Sequence, residues 1–178
     1  MNLPTWITVS RLLGVPIILF LLQNPTTSDR WLSLGIFLIA AGTDWLDGYL
    51  ARKLNQVSDL GKFLDPLVDK LLVLAPLMAL VEMGILPAWG VFLILTRELV
   101  ISGWRVNPQL AGNTTISGAN FWGKLKTVIQ IIAISMLIAP LPSVWLIPSV
   151  IAFWISVILT WISGVIYLWP QTQDTNYV

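Results

Sequence analysis

Four aspartates lie within a window of 26 residues in a chain that is otherwise almost wholly apolar. The window reads D-x2-D-G-x2-A-R-x8-G-x3-D-x3-D, and its fixed positions are Asp44, Asp47, Gly48, Ala51, Arg52, Gly61, Asp65 and Asp69. An ionised acid at the centre of a membrane helix costs about 2.5 kcal/mol or more on insertion scales. Four such charges close together indicate a bound counter-charge. A divalent cation fits best, because Mg²⁺ takes carboxylate oxygens and usually shares its site with substrate phosphates.

The spacing of the acids indicates how helices would present them. Asp44 and Asp47 are three residues apart, and Asp65 and Asp69 are four apart with Gly61 one turn earlier, so each pair shares one face of a helix. We expect the two helices to form an antiparallel hairpin in which the acidic pairs face each other near the cytoplasmic end. The elements that position this chemistry are therefore two neighbouring membrane helices.

Two other interpretations of these residues stay open. The acids could pair with Arg52, Lys62 and Lys70 as interfacial salt bridges, although ion pairing requires neither this spacing nor four acids on two stripes. The small residues Gly48 and Gly61 could serve only to let helices pack closely. Packing and ligand binding are compatible roles for a glycine, since both use the same close approach to the backbone.

Composition places the chain in a membrane. Of its 178 residues, 56% are hydrophobic and only 11% are charged, and its mean hydropathy is +0.81, whereas soluble domains carry roughly 25% charged residues. The absence of Cys and His excludes disulfides, a Ser-His-Asp triad, the usual structural zinc sites, and haem ligation by these residues. A net charge of +1 gives no reason to expect nucleic-acid binding. The ten Trp residues suit anchoring at membrane interfaces.

The apolar segments predict an all-α integral membrane protein with six transmembrane helices in one domain, residues 1–178. The expected spans are about Leu3–Leu22, Trp31–Arg52, Gly61–Val81, Ala88–Arg105, Phe121–Ala139 and a last one ending at Trp169. We expect Gln23–Arg30 to be a loop, Met83–Pro87 a turn, and Pro140, Pro142 and Pro148 to mark another turn. Met1–Ser10 could instead lie along the interface as a short amphipathic helix, with Arg11 at headgroup level.

Basic residues orient these spans. With the amino terminus inside, nearly all of them fall toward the cytoplasm and only Arg30 is clearly outside. The expected cytoplasmic set is Arg52, Lys53, Lys62, Lys70, Arg97, Arg105, Lys124 and Lys126. We therefore expect both termini in the cytoplasm, a multi-pass protein of the cell (inner) membrane, and an active-site cavity open to the cytoplasmic side.

A second polar cluster could bind a phosphate. Arg97 and Arg105 lie eight residues apart on the fourth span, near one face, and Lys124 and Lys126 begin the fifth. A phosphate dianion requires such cations, and Arg offers a two-pronged donor. Arg97 could instead pair with Glu98 or a signature acid, but adjacent residues do not face each other well on a helix. The two lysines could serve only to set topology.

These motifs resemble those of a known family. The acidic window matches the signature of the CDP-alcohol phosphotransferases at every fixed position. Three shorter motifs are similar to the branch of that family that makes phosphatidylglycerophosphate. They are Asn2–Thr5 with Thr8 and Arg11, Thr96–Leu99 with Ser102 and Arg105, and Gly123–Thr127.

The resemblance implies a homodimeric six-helix enzyme with two divalent ions, Mg²⁺ or Mn²⁺. It would transfer a phosphatidyl group from CDP-diacylglycerol to the 1-hydroxyl of sn-glycerol 3-phosphate and release CMP. By similarity, Asp44, Asp47, Asp65 and Asp69 hold metal, Asp69 is also the catalytic base, and Arg97, Arg105, Lys124 and Lys126 bind the acceptor phosphate. The CDP-binding residues would be Asp44, Asp47, Gly48, Ala51, Arg52 and Gly61.

Other functions remain open at this point. Within the same family, the acceptor could be that of a cardiolipin synthase, or inositol phosphate, or serine, and the signature does not separate these. From a different class, acids lining a path could serve a small cation transporter. A transporter requires a pathway reaching both sides of the membrane, whereas the ionisable residues cluster toward one end.

Overall fold

The computed structural model describes residues 3–54, 59–106 and 121–168, with side chains from 8 to 43, 64 to 104 and 121 to 167. Within these ranges the chain forms six α-helices and no strand. They are α1 (Leu3–Gln23), α2 (Thr27–Leu54), α3 (Asp59–Glu82), α4 (Ala88–Val106), α5 (Phe121–Ile138) and α6 (Leu146–Leu168), with a 3₁₀ turn at Ser143–Trp145 before α6. The prediction of an all-helical protein is confirmed.

Two of the helical segments are apolar enough, over enough residues, to cross a bilayer: Phe121–Ile138 and Ser143–Tyr167, among the residues that the structure describes. A shorter apolar stretch covers Thr8–Gln23. Six membrane spans and their orientation stay predictions. The tail from Pro170 lies outside the described residues.

The helix boundaries differ from the expected ones at three places. Thr27–Arg30 belongs to α2 instead of the preceding loop. Pro148 lies in the first turn of α6 instead of the preceding turn, where a proline costs little because its missing N–H would have no helical partner. Leu3–Gln23 is one continuous helix, so the alternative of a separate interfacial helix before Arg11 is wrong.

The early start of α2 follows from a reciprocal cap. The Asp29 amide donates to Thr26 Oγ1 at 3.2 Å, and Asp29 Oδ2 accepts from the Thr26 amide at 2.9 Å and its hydroxyl at 2.6 Å. This exchange satisfies donors that the first turn of a helix leaves unpaired. The Thr26 hydroxyl and then its amide hold the pKa of Asp29 below its usual range.

The helices pack in two groups that meet in one core. Helix α1 packs along α2 and α3, α5 packs along α6, and α4 contacts α3 and α6. Fully buried apolar side chains from all six helices fill the centre, including Ile18, Phe37, Leu77, Ile94, Ile134 and Phe153. The pairing of α1 with α3 decides the geometry of the site, because it brings the first turns of α1 against the signature acids.

Two positions in this packing require glycine, one for a turn and one for close helix contact. Gly84 has φ of 70° after α3, the left-handed conformation that ends many helices, and the following amides of Ile85 and Leu86 return to the Leu80 carbonyl at 3.0 and 3.2 Å. A Cβ at Gly90 would lie 2.9 Å from the ring of Phe153. Only a glycine therefore lets α4 approach α6 this closely without displacing that ring.

Candidate active site

Two signature acids lie side by side on α3 and face α1. The Thr8 hydroxyl donates to Asp65 Oδ1 at 2.6 Å, and Arg11 Nη1 donates to Asp69 Oδ1 at 2.7 Å. Arg11 Nη2 lies 3.9 Å from Asp65 Oδ1. The single guanidinium of Arg11 therefore spans both carboxylates.

Burial differs sharply across this contact. The Arg11 side chain is 1% exposed, whereas the side chains of Asp65 and Asp69 are 46% and 42% exposed. A buried cation is tolerated only beside anions, and the two acids supply them. The Oδ1 atoms of the two acids face the Arg11 guanidinium on α1, and the rest of each side chain remains accessible from outside the protein. The structure therefore pairs Arg11 with the signature acids, whereas its depth in the membrane stays a prediction.

The described partners of these acids are not the ones that the salt-bridge interpretation named. Lys70 follows Asp69 in the chain, yet its ammonium donates to the Ser102 hydroxyl on α4. Arg52 and Lys62 have side chains outside the described residues. The opposite helix, α1, contributes a contact to each of Asp65 and Asp69.

The remaining signature residues have a backbone position only. Asp44, Asp47, Gly48, Ala51 and Arg52 lie on the last turns of α2, and Gly61 lies on the first turn of α3. Their side chains are outside the described residues, as is that of Arg105 near the end of α4. Helices α2 and α3 contact each other, whereas their antiparallel hairpin and the meeting of the acidic pairs stay predictions.

The donor chemistry at Asp65 and Asp69 fits a divalent cation. Carboxylate oxygens are the ligands that Mg²⁺ and Mn²⁺ prefer, and these two acids are accessible and one turn apart. Among the described side chains alone, no group of three or more Asp, Glu, His or Cys residues is assembled. A complete metal site would therefore need Asp44 and Asp47 from α2.

A second polar cluster centres on Glu98 of α4. Its Oε1 accepts from Arg97 Nη1 at 3.1 Å and from the ammonium of Lys126 on α5. Arg97 Nη2 also lies 3.1 Å from Ser163 Oγ on α6. Three helices thus contribute to one buried arrangement, in which one carboxylate holds two cations together.

Arg97 is enclosed on the side of α6. A Cβ at Gly164 would lie 3.1 Å from both Cγ and Nε of Arg97, so the absence of a side chain at Gly164 creates the space that Arg97 fills. Arg97 Nε is buried and has no hydrogen-bond partner within the described part of the chain. A buried donor without a partner is costly, and here it faces the backbone of α6 at Gly164.

The acidic pair and the basic cluster are linked through α3 and α4. Lys70, the residue after Asp69, donates to Ser102 Oγ, and this hydroxyl donates to the Glu98 carbonyl at 2.7 Å. A side-chain contact therefore connects α3 beside Asp69 with α4 at Glu98.

The structure brings together two of the four basic residues predicted for this cluster, and their binding of a phosphate stays a prediction. Arg97 and Lys126 come together, whereas Lys124 is exposed on α5. The Arg97–Glu98 pair, which helix geometry disfavoured, does form. The reason is that both side chains are long and that Lys126 draws the same carboxylate from another helix. Sequence reasoning did not foresee this central role of Glu98 or the contacts of Thr8 and Arg11 with the acids.

One sequence signal could have indicated the role of Arg11. It is a cation within an apolar helix, so it requires a counter-charge from a neighbouring helix. The signature acids are the nearest candidates of opposite sign on an adjacent helix. Ser102 is a position of one of the shorter motifs. No comparable signal identifies Ser163, because serines are common on packed membrane helices.

The described residues form an all-helical fold with two helices apolar enough to cross a bilayer, an accessible acidic pair and a basic cluster. The chain belongs to the CDP-alcohol phosphatidyltransferase family, whose sequence profile matches residues 1–165. This match confirms the resemblance found in the signature.

Individual relatives cover nearly the whole chain. A CDP-diacylglycerol–glycerol-3-phosphate 3-phosphatidyltransferase of Bacillus subtilis is 40% identical over 98% of this chain and 99% of its own length. One of the same name from Pseudomonas fluorescens is 38% identical over 97% of this chain and 88% of its own length. A probable phosphatidylglycerophosphate synthase of Mycobacterium tuberculosis is 35% identical over 97% of this chain and 83% of its own length.

Proposed function

We propose that this protein transfers the phosphatidyl group of CDP-diacylglycerol to sn-glycerol 3-phosphate, giving phosphatidylglycerophosphate and CMP in phospholipid biosynthesis. The observation that carries the proposal is the similarity to relatives named for this reaction, 31–40% identical over most of the chain. Similarity that extends over both polar clusters, and not only over the signature, favours the same acceptor.

The reaction requires a nucleophile, a proton acceptor and a leaving group. The oxygen of the acceptor's 1-hydroxyl forms a bond to the phosphatidyl phosphorus, and the bond from that phosphorus to the bridging oxygen of CMP breaks. The hydroxyl proton passes to a carboxylate, for which we propose Asp69. CMP leaves with the electron pair of the broken bond, so atoms and charges balance without a redox step.

The acids would hold the cations that this chemistry uses. We propose that Asp44, Asp47, Asp65 and Asp69 bind two Mg²⁺ or Mn²⁺ ions, which would neutralise the pyrophosphate and the charge that develops on the leaving phosphate. Gly48, Ala51, Arg52 and Gly61 would shape the pocket for the CDP group. The accessible carboxylates of Asp65 and Asp69 support this assignment.

The basic cluster would bind the acceptor. Arg97 and Lys126 already share one carboxylate, and we propose that they bind the phosphate of glycerol 3-phosphate together with Arg105 and Lys124. The two cations that meet at Glu98 support this assignment, because a phosphate dianion requires positive charge. Four signature acids repel a phosphate dianion, so the acceptor phosphate must be bound away from them by cations.

The arrangement in the membrane is part of the proposal. We place six spans in the cell inner membrane, with both termini and the cavity on the cytoplasmic side, and a homodimer as the assembly. The two apolar helices and the positive-inside pattern support this topology. The acyl chains of the donor would remain in lipid while both head groups reach the site from water.

An acceptor panel tests the function. The purified protein, CDP-diacylglycerol and Mg²⁺ or Mn²⁺ are incubated with glycerol 3-phosphate, phosphatidylglycerol, inositol phosphate or serine, and CMP release is measured. We expect release with glycerol 3-phosphate alone among the four. Release with another acceptor would place the protein elsewhere in the family, and cation flux without CMP release would indicate a transporter.

A further inference from the structure

The two contacts between α1 and α3 lie one helical turn apart. Thr8 and Arg11 lie one turn apart on α1, and Asp65 and Asp69 lie one turn apart on α3. The distance from Thr8 Oγ1 to Asp65 Oδ1 is 2.6 Å, and the distance from Arg11 Nη1 to Asp69 Oδ1 is 2.7 Å. In both hydrogen bonds the acceptor is an Oδ1 atom, so a side chain of the opposite helix binds one oxygen of each carboxylate.

The Thr8 and Arg11 side chains on α1 have little freedom to move. Thr8 is 1% exposed and Arg11 is 2% exposed, and both sit on a helix that packs along α3. Buried side chains in a packed interface have few alternative rotamers. The carboxylates themselves are nearly half exposed, and an exposed Asp side chain has more than one accessible rotamer about χ1 and χ2.

We infer that Thr8 and Arg11 are positioning residues that fix the orientation of the Asp65 and Asp69 carboxylates for a divalent cation and for the reaction. The inference rests on the proposed function for the presence of that cation. Groups that hydrogen-bond a metal ligand orient it, and their loss costs roughly 10- to 100-fold in metal affinity or activity. Neither residue needs to touch substrate to act in this way.

Arg11 has a further role that lysine does not reproduce. Its Nη1 contacts Asp69 at 2.7 Å while its Nη2 lies 3.9 Å from Asp65, so one planar fork sets the relation between the two carboxylates. A lysine ammonium is a single point of charge. Arg11→Lys therefore keeps the buried charge and removes the fork, which separates geometry from electrostatics.

The test measures Mn²⁺ binding to the full-length protein by electron paramagnetic resonance, with Mn²⁺ alone and no substrate. We expect Thr8→Val and Arg11→Lys each to weaken Mn²⁺ binding by about 10- to 100-fold and to lower kcat over the same range, with little change in the Michaelis constant for glycerol 3-phosphate. Thr8→Ser keeps the hydroxyl and should leave Mn²⁺ affinity within about threefold of wild type, well short of the 10- to 100-fold loss expected when the hydrogen bond is removed.

Matched controls come from elsewhere in the fold. Thr160 is also fully buried, and its hydroxyl donates to the Ser156 carbonyl of its own helix at 2.7 Å, so Thr160→Val removes a buried hydroxyl away from the acids. Arg30 binds backbone carbonyls at the opposite end of α2 from the signature, so Arg30→Lys repeats the arginine substitution there. Both should bind Mn²⁺ as the wild type does.

The outcomes separate this inference from the proposed function. Equal Mn²⁺ affinity in wild type, Thr8→Val and Arg11→Lys would overturn the inference, as would a Thr8→Ser variant impaired as much as Thr8→Val, since packing and not the hydrogen bond would then matter. Should Arg11→Lys fail to fold, the comparison of Thr8→Val with Thr8→Ser still decides. A protein that shows these shifts but uses another acceptor would retain the inference and lose the proposed function.

Discussion

The ammonium of Lys126 on α5 donates to the carboxylate of Glu98 on α4, and the same oxygen accepts from Arg97 at 3.1 Å. The side chains of Arg97 and Lys126 are each 10% exposed, so Glu98 is the counter-charge of two buried cations. Removing one member of a buried ion pair costs roughly 3–5 kcal/mol, because the remaining charge stays buried without compensation.

Glu98→Gln should therefore lower the free energy of unfolding by about 3 kcal/mol or more. Thermal unfolding in detergent, followed by tryptophan fluorescence, measures the effect. The double variant Glu98→Gln/Lys126→Gln should recover part of the loss, since one of the stranded cations is removed. An unchanged melting temperature in Glu98→Gln would show that the pair contributes nothing to stability.

Arg97→Gln should raise the Michaelis constant for glycerol 3-phosphate with a smaller effect on that for CDP-diacylglycerol. Losing one charged hydrogen-bonding partner costs roughly 1.5–3 kcal/mol, or about 10- to 150-fold in affinity. Arg97→Lys should rescue only in part, because lysine lacks the planar fork. The reverse pattern, with donor binding lost and acceptor binding intact, would place Arg97 on the CDP side.

Gly164→Ala should disturb the acceptor site without changing its charge. The new Cβ would lie 3.1 Å from Cγ and Nε of Arg97, so the guanidinium must move by a few tenths of an ångström. We expect a rise of about three- to tenfold in the Michaelis constant for glycerol 3-phosphate, which corresponds to roughly 0.7–1.4 kcal/mol. Gly35→Ala, where a Cβ meets nothing within 4 Å, is the control and should leave that constant unchanged.

Asp69→Asn should lower the chemical step far more than the binding of CDP-diacylglycerol. General-base catalysis is typically worth about 10²- to 10⁴-fold, and the loss could be larger if Asp69 also holds metal. Single-turnover kinetics separate the chemical step from binding. An unchanged turnover number combined with weaker donor binding would make Asp69 a ligand only.

Asp65→Asn and Asp44→Asn should abolish turnover while leaving the protein inserted, because a neutral amide is a poor substitute for a carboxylate that holds a divalent ion. Activity should also disappear with EDTA and return with Mg²⁺ or Mn²⁺. Full activity in a metal-free preparation would contradict the proposed metal site.

Arg30→Gln should affect stability and not chemistry. Arg30 Nε and Nη2 donate to the carbonyls of Ile138 and Leu137 at 2.8 and 2.7 Å, where α5 ends and its last carbonyls need donors. Losing these charged hydrogen bonds should cost about 1.5–3 kcal/mol, measured by thermal unfolding. A fall in kcat per folded molecule would show that this end of the protein is coupled to the reaction.

The sequence predicts helix positions well where apolar runs end in strong breakers, as at Met83–Pro87. The predicted helix starts are wrong at Thr27 and Pro148. At Thr27 a side-chain cap begins α2 early, and Pro148 is accommodated in the first turn of α6, so both helices include residues that look like a loop. The signature places the acids on two helices, but the partners of Asp65 and Asp69 come from α1. Which helices pack together is a tertiary property that local spacing does not contain.

The most direct test of the account follows one oxygen atom. Glycerol 3-phosphate carrying ¹⁸O at its 1-hydroxyl is incubated with CDP-diacylglycerol and Mg²⁺ or Mn²⁺, and the products are analysed by mass spectrometry. The account predicts ¹⁸O in phosphatidylglycerophosphate and none in CMP, with product formation lost in Asp65→Asn. Unlabelled phosphatidic acid as the sole lipid product, or ¹⁸O in the released nucleotide, would contradict transfer of the phosphatidyl group to this acceptor.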